Sequence, residues 1–176
     1  MNVHPALSSL LIALPEVLAL LGAIVVMLAE VSGTGGRRNV LSLSLAVIFV
    51  LLVVLVMQAG APTRLAFDGS YKADALSSLL KISASIAVGA TLIYSSGYTR
   101  PRGLMHGEYM SLGLFTLLGI FVMISANSLL IVYLGLETMS LSLYAMAAAR
   151  RDDLRSTEAG MKYFVLGAMA SGFLLY

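Results

Sequence analysis

The chain has 176 residues, 59% of them hydrophobic and 11% charged, with a mean hydropathy of +0.94. Soluble domains carry about 45–50% apolar and about 25% charged residues, so a soluble globule and a disordered chain are both excluded. A net charge of +2 gives no sign of nucleic-acid binding, while the lack of cysteine and the wide separation of His4 and His106 exclude disulfides and thiolate or histidine metal clusters.

A crossing helix needs roughly 20 apolar residues to span a hydrocarbon core about 30 Å thick. The first apolar run goes from Ala6 to Ala29 and contains Glu16, directly after Pro15. That pair either opens the regular part of the helix or kinks it. A kink buries Glu16; a straight helix leaves it near the surface. The second span is Val40 to Met57, and the third runs from about Ala73 to Tyr94. Lys81 lies about eight residues into the third span, from where its long side chain is expected to snorkel to the outer interface. Asp74 precedes it, at a helix start where a carboxylate suits the positive end of the dipole.

Between Tyr109 and Ala149 the only charge is Glu137. As one helix this stretch would reach about 60 Å, so it must fold back. Ser125-Ala126-Asn127-Ser128 is the polar cluster where it turns, which gives spans four and five. A sixth begins near Ser156, read as its cap, and is still apolar at Tyr176, as in the amino-terminal piece of a longer chain. The start has neither the basic region nor the cleavage site of a signal peptide. Continuous rather than alternating apolar runs dismiss spanning strands. The expected fold is all-α, a polytopic transmembrane helix bundle of about six spans. Residues 1–60 hold the first two helices, 61–108 an outer loop, the third helix and a cytoplasmic loop, and 109–176 the fourth to sixth helices.

Arg37, Arg38, Arg100, Arg102, Arg150, Arg151 and Arg155 fall in loops on one side, and Arg64 and Lys72 on the other. The positive-inside rule makes the first set cytoplasmic and places the amino terminus outside, with Tyr94, Tyr98 and Tyr109 at the cytoplasmic interface. His106 then lies in a solvated cytoplasmic loop, and Gly33-Thr34-Gly35-Gly36 is a loop with no preceding strand to make it a phosphate cradle.

Glu137 is the sharpest feature. Ten residues past Asn127, it sits about 15 Å deep at 1.5 Å per residue. An ionised carboxylate there costs about 2.5–3.5 kcal/mol on insertion scales. Such a group pairs with a cation, faces internal water or takes up a proton; the bland alternative is a permanently protonated acid bonded to a neighbouring helix. Lys162 stands four residues after Glu158. It either pairs with that glutamate and snorkels, or is a desolvated lysine that gives up and regains a proton. Gly113, Gly119, Gly135, Ser140, Ser142, Gly160, Gly167 and Ser171 are small residues that let membrane helices approach closely, and the ten methionines fill gaps.

The stretch Gly107-Glu108-Tyr109, the run Leu129 to Glu137, the segment Ser140-Leu141-Ser142-Leu143-Tyr144 and the run Ser156 to Gly167 together carry a resemblance. They resemble the subunit N family of the bacterial proton-pumping NADH–quinone oxidoreductase, respiratory complex I, one of the antiporter-like subunits. The likeness is close from about Phe67 to Tyr176 and rests on Leu14-Pro15-Glu16 earlier. It implies a proton-translocating membrane subunit of about fourteen helices, built on two inverted repeats of which this chain holds the opening. It implies that Glu137 modulates a channel lysine on the seventh helix, beyond Tyr176, and that Lys162 is a lysine of helix six with a part in proton translocation. Lys81 and Glu16, read from the residues alone, stand as secondary candidates. The resemblance further implies other membrane subunits of the complex as partners and the bacterial inner membrane as location. It implies no cofactor in this subunit; NADH, FMN, iron–sulfur clusters and quinone are used by the rest of the complex. Two other functions stay open: a subunit of a multi-subunit cation/proton antiporter, and a structural membrane subunit whose charges only lock helices together.

Overall fold

A computed structural model describes residues 5–32, 37–99 and 107–176. The expectations for His4, the Gly33–Gly36 loop, Arg100, Arg102, His106 and the side chains of Arg37 and Arg38 lie outside the described residues.

The first apolar run is two helices, α1 (Pro5–Ile12) and α2 (Leu14–Val31), broken at Ala13. Pro15 sits in the first turn of α2, where its missing N–H leaves no helical bond unmade. The pair thus opens a regular helix, yet Glu16 is only 7% exposed, the burial expected of a kink, because the chain breaks just before it at Ala13. Next comes α3 (Arg37–Gln58), and then, where only an outer loop is expected, an antiparallel hairpin of β1 (Arg64–Ala66) and β2 (Tyr71–Ala73). Its turn places Asp68 and Gly69 at φ +53° and +83°, closed by a 3.0 Å bond from Ser70 N–H to the Phe67 carbonyl. Asp-Gly in this left-handed conformation is the favoured chemistry for a tight hairpin. The remaining helices are α4 (Ala75–Thr99), α5 (Gly107–Ile124), α6 (Leu129–Ala147) and α7 (Leu154–Leu175).

Among the described residues, α2, α3 from Val40, α4, α5 and α6 are long and apolar enough to cross a membrane. The sixth expected span, α7, has 22 residues but carries Glu158 and Lys162 in its early turns, and it does not join those five on apolar content. Its cap also differs from the expectation. Asp153, not Ser156, accepts from the Arg155 N–H at 3.0 Å, while the Ser156 hydroxyl donates to the Ala147 carbonyl at 2.9 Å.

α5 is the centre of the bundle. Met110, Leu114, Leu117 and Phe121 are fully buried against Ala19, Ala23 and Val26 of α2, Ile48, Leu51 and Leu55 of α3, and Leu92 of α4. The other face of α5 meets α6 at a crossing of two glycines. A Cβ on Gly119 would lie 2.5 Å from the Met139 nitrogen and 2.7 Å from the Gly135 carbonyl oxygen, and one on Gly135 would lie 2.8 Å from the Gly119 oxygen. Backbone touches backbone there, the use expected for small residues in membrane helices.

The break at Ser125–Ser128 falls as expected, and Ser128 caps α6 through the Ile131 N–H. The hairpin docks on this break through its backbone. Lys72 N–H donates to the Ser125 carbonyl at 2.8 Å, Asn127 N–H to the Ser70 carbonyl at 2.9 Å, and Tyr71 bridges Ala126. The Asn127 side chain adds a 2.7 Å bond to the Gly69 carbonyl. At the opposite end of the bundle, the Glu30 carboxylate accepts from the first turn of α5 at Glu108 N–H, 2.9 Å away, and Arg151 reaches the Glu108 carboxylate at 3.1 Å.

Candidate functional site

Glu137 lies on α6 two residues beyond the glycine crossing. At 100° per residue it points away from α5 and shares a stripe with Tyr144, seven residues on. Tyr144 packs on α7: its ring meets Tyr163 at 4.8 Å and Phe164 at 5.8 Å between centroids, and its hydroxyl occupies the space a Cβ on Gly167 would need. Glu137 is therefore on the α7-facing side of α6, about 10 Å closer to the hairpin end than Tyr144. It is partly buried, and its Oε1 is buried with no hydrogen-bond partner among the described residues. A buried carboxylate oxygen left unpaired costs about 1–3 kcal/mol or more, a cost that a donor brought beside it would relieve.

Lys162 does not meet it. The lysine ammonium is 2.6 Å from Glu158 Oε1, one turn back on α7, and both side chains are largely exposed. It lies on the far side of Gly167 from Glu137, roughly 18 Å away along the bundle axis. Of the two open alternatives for Lys162, the described geometry is that of the local pair.

Lys81 departs from expectation most. Rather than snorkelling, it is 3% exposed. Its Nζ lies 2.5 Å from Glu16 Oε1 and 3.0 Å from the Tyr71 hydroxyl, over the faces of the Tyr71 and Phe121 rings at 5.2 and 5.8 Å from their centroids. The physical reason is coverage. The break before Pro15 turns Glu16 inward, and the docked hairpin lays Tyr71 over the first turns of α4, so that end of the helix is roofed by protein. An ammonium there finds a carboxylate, a hydroxyl and two aromatic faces closer than water. Tyr71 completes the cluster without standing among the candidates of the sequence; the Asp68-Gly69 turn is the signal that places it on a strand. Burial, and next the Glu16 carboxylate, pushes its phenol well above the ordinary tyrosine value.

Asp74 behaves as expected at the start of α4. Its Oδ1 accepts from Ser77 N–H at 2.7 Å while Ser77 Oγ accepts from Asp74 N–H at 2.9 Å, a reciprocal cap. The Ser77 N–H, and then Lys72 at 3.0 Å, hold its carboxyl below the ordinary value.

Comparisons with known proteins identify what the chain is similar to. Residues 126–176, which contain α6 and α7 with Glu137 and Lys162, match the family model described as NADH:quinone oxidoreductase/Mrp antiporter, TM. The chain is 47% identical over 165 residues to the NADH-quinone oxidoreductase subunit N of Nitrosomonas europaea, covering 93% of this chain and 34% of that protein. It is 47% identical over 178 residues to the subunit N of Thiobacillus denitrificans, covering 100% of this chain and 37% of that one. A chain of respiratory complex I from Thermus thermophilus, solved with bound aureothin, superposes with a TM-score of 0.72 at 27% identity, over 92% of this chain and 35% of that chain. The chain thus spans about a third of the length of the relatives it matches. It is a multi-pass membrane protein, and it belongs to the NADH-quinone oxidoreductase subunit N family of antiporter-like membrane proteins.

Proposed function

We propose that this chain is part of a proton-translocating membrane subunit of NADH–quinone oxidoreductase, seated among the other membrane subunits in a bacterial inner membrane with its amino terminus outside. Electrons pass from NADH to quinone in other subunits, which hold the FMN and iron–sulfur clusters, and the released energy arrives here as a change in the surroundings of Glu137. The observation that carries this is the buried, unpartnered Oε1 of Glu137 on the α7-facing stripe of α6. An oxygen in that position changes its charge when a cation or a water chain comes near and recedes. Moving one charge against 100 mV costs about 2.3 kcal/mol, which a pKa swing of about two units supplies. Lys162, held by Glu158 in the state described, is the second proton-carrying candidate.

The test is Glu137→Gln in the full-length subunit within its assembled complex, with NADH oxidation and proton ejection measured together. Proton ejection is expected to fall in complexes whose subunit content is unchanged. Full coupling in an assembled Glu137→Gln complex removes this carboxylate from the mechanism.

A further inference from the structure

The deepest ionisable cluster of the described residues is not at Glu137. Glu16 and Lys81 are both more than nine-tenths buried, 65 residues apart in sequence, and joined by the 2.5 Å contact described above. Two features set this pair apart from a lock between helices. The second carboxylate oxygen, Glu16 Oε2, is buried with no donor among the described residues. A pair selected only for cohesion would satisfy both oxygens, since a buried orphan oxygen costs about 1–3 kcal/mol. The pair also lies next to the surface: a groove of about 340 Å³ with an apolar lining, Leu10, Val17, Leu20 and Phe67 among its walls, runs beside Glu16 and Tyr71.

The charges facing the cluster are few. α2 supplies Glu16, α4 supplies Lys81, and Asp74, about two helical turns before it, is paired with Lys72 of β2; β2 also supplies Tyr71, and α5 supplies only the Phe121 ring. α3 carries no ionisable residue from Val40 to Gln58. Among the described residues no further charge faces the cluster, so the Glu16–Lys81 pair is neutral as an ion pair and changes by one unit when a single proton leaves or arrives.

We propose that Glu16, Lys81 and Tyr71 form a second proton-exchange site at the hairpin end of the bundle, outside the residues that match the antiporter model. On release, one N–H bond of Lys81 breaks, the electron pair stays on nitrogen, and the proton passes to water at the hairpin end. The neutral amine stays seated between Glu16 Oε1 and the Tyr71 hydroxyl. On uptake the same N–H bond reforms and the ion pair is restored. Tyr71 holds the amine in place in both states and does not itself ionise. This inference rests on the proton-moving function proposed above.

The experiment compares three variants of the full-length subunit in its assembled complex. Lys81→Arg keeps the charge, the carboxylate contact and the ring stacking, but a guanidinium does not release a proton at accessible pH. The double variant Glu16→Gln with Lys81→Met removes both charges at similar volume. Glu137→Gln serves as the reference. The expected result is normal assembly and NADH oxidation with a loss of protons ejected per electron pair in Lys81→Arg and in the double variant. Ejection at the unsubstituted ratio in either one overturns the inference, and failure of both to assemble assigns the cluster to folding and overturns it as well. If Glu137→Gln loses ejection while Lys81→Arg does not, this inference falls alone; if all three eject fully, the proposed function falls with it.

Discussion

Removing one partner of the Glu16–Lys81 pair should be far more damaging than removing both. Glu16→Gln leaves an ammonium that is 3% exposed with no counter-charge, and Lys81→Met strands a carboxylate that already has one unpartnered oxygen. Breaking a buried pair this way costs about 3–5 kcal/mol, whereas replacing both members by neutral groups of similar volume is often close to neutral. At about 1.4 kcal/mol per factor of ten, each single change is expected to shift the folding equilibrium by roughly 150- to 4,000-fold. The double variant Glu16→Gln, Lys81→Met should recover most of that loss. The assay is a double-mutant cycle on the detergent-solubilised full-length subunit, read by thermal unfolding and by its level in the membrane. Single variants within about 0.5 kcal/mol of the unsubstituted protein would mean that water reaches both groups, and the buried-pair reasoning would be refuted.

Gly135→Ala pushes a methyl to 2.7 Å from Met123 Cγ and 2.8 Å from the Gly119 oxygen, and is expected to cost about 1–3 kcal/mol, while Gly97→Ala, with nothing within 4 Å, should cost nothing. Equal melting temperatures for the two would refute the close α5–α6 crossing. Asp74→Ala should lose about 1 kcal/mol with the cap of α4. Because the folded carboxyl titrates below its ordinary value of 3.8, this stabilisation is full above that value and disappears as pH falls through the lowered one, so the melting curves of variant and parent should converge in acid. In a chain with no cysteine, Ser70→Cys should react with a membrane-impermeant thiol reagent applied outside and Arg102→Cys should not; the reverse pattern overturns the proposed orientation.

The parts of this fold that were legible in the sequence are those governed by local chemistry. The break at Ser125–Ser128 is a polar cluster in an apolar run, and α5 and α6 end and begin there. Glu137 announces itself because a charge in oil is costly wherever the chain goes. Proline at position 15 signalled either a helix start or a kink; it starts α2, with the break at Ala13, since proline fits the first turn of the helix that follows. Lys81 was misjudged for a different reason. Whether a lysine eight residues into a span can reach water depends on what covers that end of the helix. The cover comes from Glu16 and Tyr71, which no local pattern ties to position 81. The Asp68-Gly69 turn was readable as a hairpin signal, but its docking on Ser125, Ala126 and Asn127 is a tertiary fact. Ser156 shows the limit of cap rules: Asp153, three residues earlier, offered the same chemistry and took the position.

The seam between the hairpin and the α5–α6 turn runs mainly through peptide groups, which every residue except proline carries. Substitutions at Ser70, Lys72 or Ala126 can therefore accumulate without unpicking it. Adding or deleting one residue within 71–73 is another matter. A shift of one place turns alternate strand residues to the other side, and the tyrosine would then face out of the bundle rather than onto the lysine. Relatives that keep the buried pair should accordingly vary in the composition of this short ribbon and hold its length constant.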